Sequence, residues 1–409
     1  MKTLKNLTFY FITLFLTFLI LDFLFNFMNF PPRKWSKYNE LYGTYGWYTW
    51  HGANHIDGDH KLQTNGFKTR GKAPQKEKKI ILLGDSAVET SHKFEQMPEN
   101  FLEEFMPGYS VVSFGSWGWG TDQQLLHLKE NIEKINPEKV VLWFQTNDPD
   151  DNINHFGFLG PKPTFKIKNN KLKYPTVQMG DKTIYPYLYK SYFYRVYRSL
   201  KNKYNKESFD LNLEKNKTCN NKKKYTEYSD LLKIYYNKQL YKRLKTIKEN
   251  KPTPYNKNVG KFDSYEKWRQ KNINSSMKNF NNNIDDLFYW SRESLTKKEE
   301  EKFYLTNLLI KEIEKISVKE NSQFYIFFPI WGELFVPFEK DKIYVVCKQN
   351  KEVIYSNKNA YKKLDLIFKD INNTFIFKNE IKDWYDLFDG HANSFTTKNF
   401  MKKLSTFIN

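Results

Sequence analysis

The stretch "KKIILLGDSAVE" (residues 78–89) sets a continuous apolar run against an abrupt stop at Gly84, Asp85 and Ser86. An aliphatic run of strand length without alternation predicts a strand covered on both faces, as in a parallel sheet sandwiched by helices. "YSVVSFG" (109–115) and "KVVLWFQT" (139–146) repeat the pattern. A helical stretch around Asn100 to Met106 separates the first pair. A helix over Thr121 to Ile135 separates the second, with Thr121 and Gln124 spaced as a capping box and Pro137 just beyond the end. Strand and helix in alternation imply right-handed crossovers and a parallel sheet with helices on both sides.

The alternation breaks after residue 150 and resumes near 300. "PTFKIKNNKLKYP" (163–175) predicts a hairpin turning at Asn169-Asn170. Residues 185 to about 300 are rich in Tyr, Lys and Asn, with helical runs and no strand pattern. A helix around Phe303 to Lys319, a strand "QFYIFFP" (323–329), a weaker strand "NTFIFK" (373–378) and a short helix after His391 complete the pattern. The expected organisation is an anchor over 1–31, a first α/β part over 32–165, an insertion over 166–300 and a second α/β part over 301–409.

That anchor rests on "LTFYFITLFLTFLILDFLFNFMNF" (7–30), longer than the ~20 apolar positions that span a bilayer. Lys2 and Lys5 precede it and "PPRKW" ends it. Asp22 sits past its middle, where a tilted helix carries it toward the interface. No small-residue cleavage site follows, so a retained single-pass helix is expected, not a removed leader. Lysines and arginines flank both ends and leave the orientation open.

Of the 409 residues 40% are hydrophobic and 18% aromatic, enough for a globular core; the formal charge is +20. Residues 201–280 carry 21 Lys and Arg against 8 Asp and Glu, a net +13. Such a segment suits an anionic glycan or a phospholipid surface. Lys and Asn are abundant everywhere, and no recognisable nucleic-acid module accompanies the charge, so nucleic acid is not expected. Cys219 and Cys347 form no CxxC, which excludes a cysteine zinc cluster and a disulfide-dense scaffold. A single bridge between them is open in an oxidising compartment, but two unpaired thiols are the expected state. "HGANHIDGDH" (51–60) holds His51, His55, His60, Asp57 and Asp59 without the i, i+4 spacing of a metal-binding helix, and reads as surface loop. Neither metal nor cofactor is expected.

Chemistry in open parallel sheets gathers at the carboxyl ends of the strands. Here those ends read Gly84-Asp85-Ser86, then "FGSWGWGTDQ", then "QTNDPDDN". A serine hydroxyl needs a base within hydrogen-bond reach. His391, in "DLFDGHANSF", is the candidate, with Asp389 to orient it and stabilise the imidazolium. An oxyanion needs donors already in place: the N–H groups of Ser86 and Gly118 and the carboxamide of Asn147 are the candidates. Asp85 and Asp148 read as local hydrogen-bonding partners, and His127 as structural. Trp117 and Trp119 line a pocket or pack over the sheet edge.

These blocks resemble those of the SGNH (GDSL) hydrolase superfamily: "GDS" after the first strand, "GSWGWGTDQ" after the second, "ND" after the third and a late "DGHAN". The upstream "TNGFKTRG" resembles the lead-in of membrane-anchored bacterial members. The likeness covers roughly 40–165 and 300–409, and nothing in it corresponds to the insertion. It implies a three-layer α/β/α flavodoxin-like fold and cofactor-free ester hydrolysis or acyl transfer. Ser86 would be nucleophile, Gly118 and Asn147 oxyanion donors, and Asp389 and His391 the late pair. Gln145 stands where the family has glycine and Ser113 where asparagine is common, which bears on substrate fit. The late pair is D-x-H instead of D-x-x-H, which leaves Asp386 or Asp383 as substitutes for Asp389.

The expected function is therefore a membrane-anchored serine esterase, acting on O-acylated, often acetylated, carbohydrate or lipid, with its domain outside the cytoplasm. An O-acyltransferase modifying an envelope polysaccharide uses the same residues with a sugar hydroxyl in place of water. A non-catalytic envelope binding protein on the same fold is the third reading.

Overall fold

In the computed structural model of the chain, the described residues are 2–27, 36–39, 43–46, 66–67, 69, 71–89, 94–116, 118–154, 156–157, 160–175, 193, 219, 225–237, 265–281, 286–330, 338–348, 350–378, 392 and 394–409. Helix α1 (Lys2–Phe27) is followed by an antiparallel ribbon, β1 (Ser36–Asn39) and β2 (Gly43–Gly46). The central sheet comprises β3 (Lys78–Gly84), β4 (Tyr109–Gly115), β5 (Lys139–Trp143), β10 (Gln323–Ile330) and β13 (Thr374–Lys378). Two small ribbons, β6 (Phe156–Gly157) with β7 (Gly160–Pro161) and β8 (Lys166–Lys168) with β9 (Lys171–Lys173), lie between its halves in sequence.

The order across the sheet is β4-β3-β5-β10-β13, with every neighbouring pair parallel. In order of appearance along the chain this is 2-1-3-4-5, the order of flavodoxin-like sheets. The chain leaves β3 toward one edge and returns on its other side. The crevice between β3 and β5 is thus the topological switch point, where open α/β sheets collect their ligands.

Both sheet faces are covered, which explains the continuous apolar runs. Ile81 and Leu83 face one core with α3 (Thr121–Ile135), α7 (Lys297–Lys319) and α8 (Asn357–Ile367). Ile80 and Leu82 face the other, with α2 (Pro98–Phe105) and α9 (Ser394–Ile408). All four side chains are fully buried, each worth about 1.5–3 kcal/mol relative to exposure. On the edge beside β4, Phe67 of the lead-in packs against Phe114, and Thr69 donates its hydroxyl to the Ser113 carbonyl at 2.8 Å.

Several local expectations hold. The hairpin β8–β9 turns at Asn169 and Asn170, both in left-handed backbone (φ 52° and 57°), as a two-residue turn of this type requires. The α3 boundaries match as well, but its cap differs: the N-cap is Gly120, one residue before Thr121, and no side chain caps it. Tertiary contact supplies the acceptor instead, since Asn152 Oδ1 takes the Asp122 N–H at 3.1 Å. The capping box lies on α7, where Thr296 and Glu299 bond reciprocally and start the helix at Lys297, ahead of the expected Phe303.

A second core stands apart from the sheet. It joins α5 (228–237), α6 (Tyr265–Asn281) and the hairpin of β11 (Tyr344–Lys348) and β12 (Lys351–Tyr355), through Leu231, Tyr235, Phe280, Phe288, Phe338 and Tyr355 among others. Neither this hairpin nor α8 is among the elements expected from the sequence. Arg292, fully buried, ties the second core to α7. It donates to Asp286 at 3.1 Å and to Glu299, while Asp286 also accepts the Tyr355 hydroxyl at 2.9 Å.

One expectation changes, and a second finds no span among the described residues. Cys219 and Cys347 are bonded, with Cα atoms 6.0 Å apart, and are not free thiols. Packing of β11 brings together residues separated by 128 positions, which spacing alone does not reveal. As for the anchor, among the described residues no helix is long and apolar enough to cross a membrane. The described apolar side chains of α1 are nonetheless open: Phe9, Phe11 and Leu14 are 66%, 70% and 71% exposed. Asp22 accepts the Phe193 backbone N–H at 3.1 Å, and Phe18 stacks on the Phe193 ring at 4.0 Å.

Candidate active site

Ser86 sits in the turn directly after β3 and is half-buried. The turn is tight because the Val88 and Glu89 N–H groups both return to the Asp85 carbonyl, at 3.2 and 3.0 Å. It also folds down against the strand ends. A Cβ on Gly84 would meet Val88 Cγ2 at 2.4 Å, and one on Gly115 would meet the Asp85 carbonyl oxygen at 2.9 Å. Only glycine at the ends of β3 and β4 leaves room for this approach, so the abrupt stop after the aliphatic run has a steric cause. Asp85 is buried and accepts the Ala87 N–H at 2.8 Å, the local role expected of it.

Asn147 begins the neighbouring rim segment as N-cap of α4 (Asp148–Ile153), after β5. Its carboxamide Nδ2 donates to Asp85 Oδ2 at 3.1 Å and to Asp151 Oδ2 at 2.8 Å. The first of these bonds joins the serine turn to the asparagine turn across the switch point. Gly118, in the turn between β4 and α3, has φ 67°, a conformation that a side chain at that position would strain. Trp119 is fully buried beside His127, ring centroids 5.3 Å apart, so it packs the core; His127 is likewise buried, against Phe114 at 4.3 Å.

Beneath the rim lies a polar layer outside the residues expected from the sequence. Lys162 and Asp122 form a fully buried ion pair at 2.6 Å. Asn152 joins it, donating to Thr306 at 3.0 Å on α7. Asp148 takes the Gln145 N–H at 2.8 Å, as a local partner should. Burial, with Asp85, Asp151 and Asp122 nearby, pushes the Asp148 carboxyl well above the usual carboxylate range. Burial raises Asp151 to about 7; Asn147 and Lys162 pull it down, Asp85 and Asp150 push it up. Asp151 was legible as the i+4 neighbour of Asn147. Lys162, in a loop with one charge among many, was not.

Family models, curated proteins and solved structures give no match to this chain. The site therefore stands on its own geometry. Ser86 and Asn147 share one rim through Asp85, and Gly118 follows the adjacent strand. His391, Asp389, Asp386, Asp383, Trp117 and the histidine loop over 51–60 lie outside the described residues. Ala392, which follows His391 in sequence, is buried in the same apolar cluster as Ala87 and Val88. Among the described residues no group of His, Cys, Asp and Glu is arranged to hold a metal ion.

Proposed function

We propose that this chain is a serine esterase of the SGNH type that cleaves O-acyl esters of carbohydrate or lipid through an acyl-enzyme. The observation that carries the reading is the Asp85–Asn147 bond, which puts the loops bearing Ser86 and Asn147 side by side at the switch point. The burial of Ala392 with Ala87 supports a late histidine arriving at the same rim. Ser86 Oγ attacks the ester carbonyl while His391, oriented by Asp389, takes its proton. The alcohol leaves with that proton, and water repeats the exchange to free the acid and restore Ser86. The Ser86 and Gly118 N–H groups and the Asn147 carboxamide serve the oxyanion, one such donor being worth about 2.7–4 kcal/mol. A fluorophosphonate probe should label Ser86, and Ser86→Ala and His391→Ala should each abolish labelling and p-nitrophenyl acetate turnover. Undiminished turnover in Ser86→Ala would refute the reading.

The open apolar side chains of α1 support attachment to a lipid bilayer through the N-terminal helix. The Cys219–Cys347 bond supports a domain on the oxidising, extracytoplasmic side. Deleting residues 1–31 should move the protein from the carbonate-resistant membrane fraction to the supernatant. An O-acyltransferase is the second reading, favoured by the +13 charge of residues 201–280, which suits an anionic glycan acceptor. Acyl-glycan product in place of free acid, from a labelled donor, would establish it.

A further inference from the structure

We propose that Asp151 is a positioning residue: in the resting molecule it catches the Asn147 carboxamide, and it must let go of one N–H before that group can meet an oxyanion. The inference rests on the acyl-enzyme reading of Ser86. A carboxamide has two N–H donors, and both are taken, by Asp85 Oδ2 at 3.1 Å and Asp151 Oδ2 at 2.8 Å. The opposite amide orientation would set its carbonyl oxygen against two carboxylates, so the network fixes which way the group points. As an oxyanion donor, Asn147 must give up one partner.

Asp85 is the poorer candidate to release. It is buried, its other oxygen holds the Ala87 N–H, and its own carbonyl anchors the serine turn. Asp151 is half-buried on α4, four residues from Asn147, and swings by a side-chain rotation alone. Facing it are Asp85 from the serine turn, Asp148 and Asp150 on its own helix, and Lys162 from the loop after β7. Burial, Asp85 and Asp150 outweigh Asn147 and Lys162 and raise its carboxyl to about 7. A hydrogen bond to a charged acceptor is roughly twice as strong as one to a neutral acceptor. Release is therefore easier below this value, and the catch tightens as Asp151 ionises above it.

The test is hydrolysis of p-nitrophenyl acetate by the full chain in detergent, followed as kcat/KM between about pH 5.5 and 9. Asp151→Asn keeps the shape and an acceptor but removes the charge. Deprotonation of His391 raises kcat/KM in every protein, so the reading is the ratio of Asp151→Asn to wild type, which should climb with a midpoint near 7 to about fivefold at high pH. Asp151→Ser, read alongside, should show the same climb. A purely structural role lowers the rate by one factor at every pH. Parallel profiles for wild type and both variants, with turnover still dependent on Ser86, overturn the Asp151 assignment alone. Turnover that survives in Ser86→Ala overturns the esterase reading, and this inference with it.

Discussion

Lys162 and Asp122 are an ion pair with neither side chain exposed, and the pair illustrates how much one residue carries in this molecule. Burial pushes the Asp122 carboxyl above its usual range, and Lys162 pulls it back. Lys162→Met should cost about 3–5 kcal/mol, because it strands a buried carboxylate. The double variant with Asp122→Asn should recover much of that loss; urea denaturation of the three proteins compares them. Asp151 gives the pH counterpart. Its folded value of about 7 lies above the ordinary ~3.9 of an unfolded Asp, so the folded state binds the extra proton between these limits. Stability from this group is present below pH ~4 and is lost as pH rises toward 7. The wild type should therefore lose unfolding midpoint relative to Asp151→Asn over that window.

Among the elements, α4 and α7 have the most at stake. Asp150 on α4 accepts the Tyr289 hydroxyl at 2.8 Å and the Lys302 ammonium at 2.7 Å, which ties the helix begun by Asn147 to α7 and to the segment leading into it. At the start of α7, Glu299 closes the capping box with Thr296 and also receives Arg292. The two roles separate by mutation. Thr296→Ala should cost about 1 kcal/mol, the usual loss of a cap. Glu299→Ala should cost about 3–5 kcal/mol, since it also removes a carboxylate partner of a fully buried guanidinium. Equal losses in chemical denaturation would show that Arg292 gains little from Glu299. The elements were legible where their sequence answers to backbone physics alone. Asn169-Asn170 announces its hairpin because asparagine tolerates left-handed backbone. The α3 cap was misplaced because its acceptor, Asn152, arrives from another helix.

At the scale of the whole molecule, the Cys219–Cys347 bond closes a loop of 128 positions across the second core. The chain-entropy relation gives about 4.7 kcal/mol for a 100-residue loop and slightly more for this one. Cys219→Ser with Cys347→Ser should lower the urea midpoint accordingly, and dithiothreitol should reproduce the shift in the wild type. Unchanged midpoints would mean that the second core holds its geometry without the bond.

The sequence by itself determined the sheet and the order of its parts. Aliphatic runs such as Ile80–Leu83 have one stable use, between two layers of helix, and a strand ending in Gly-Asp-Ser has to turn at once. Only the tertiary structure decided the partners: Asn147 held by Asp85 and Asp151, Lys162 by Asp122, Cys219 by Cys347. Apolar periodicity is written in neighbouring residues and survives local reading. Hydrogen bonds, ion pairs and disulfides join residues as far apart in sequence as the packing allows, and their geometry exists once the chain has folded.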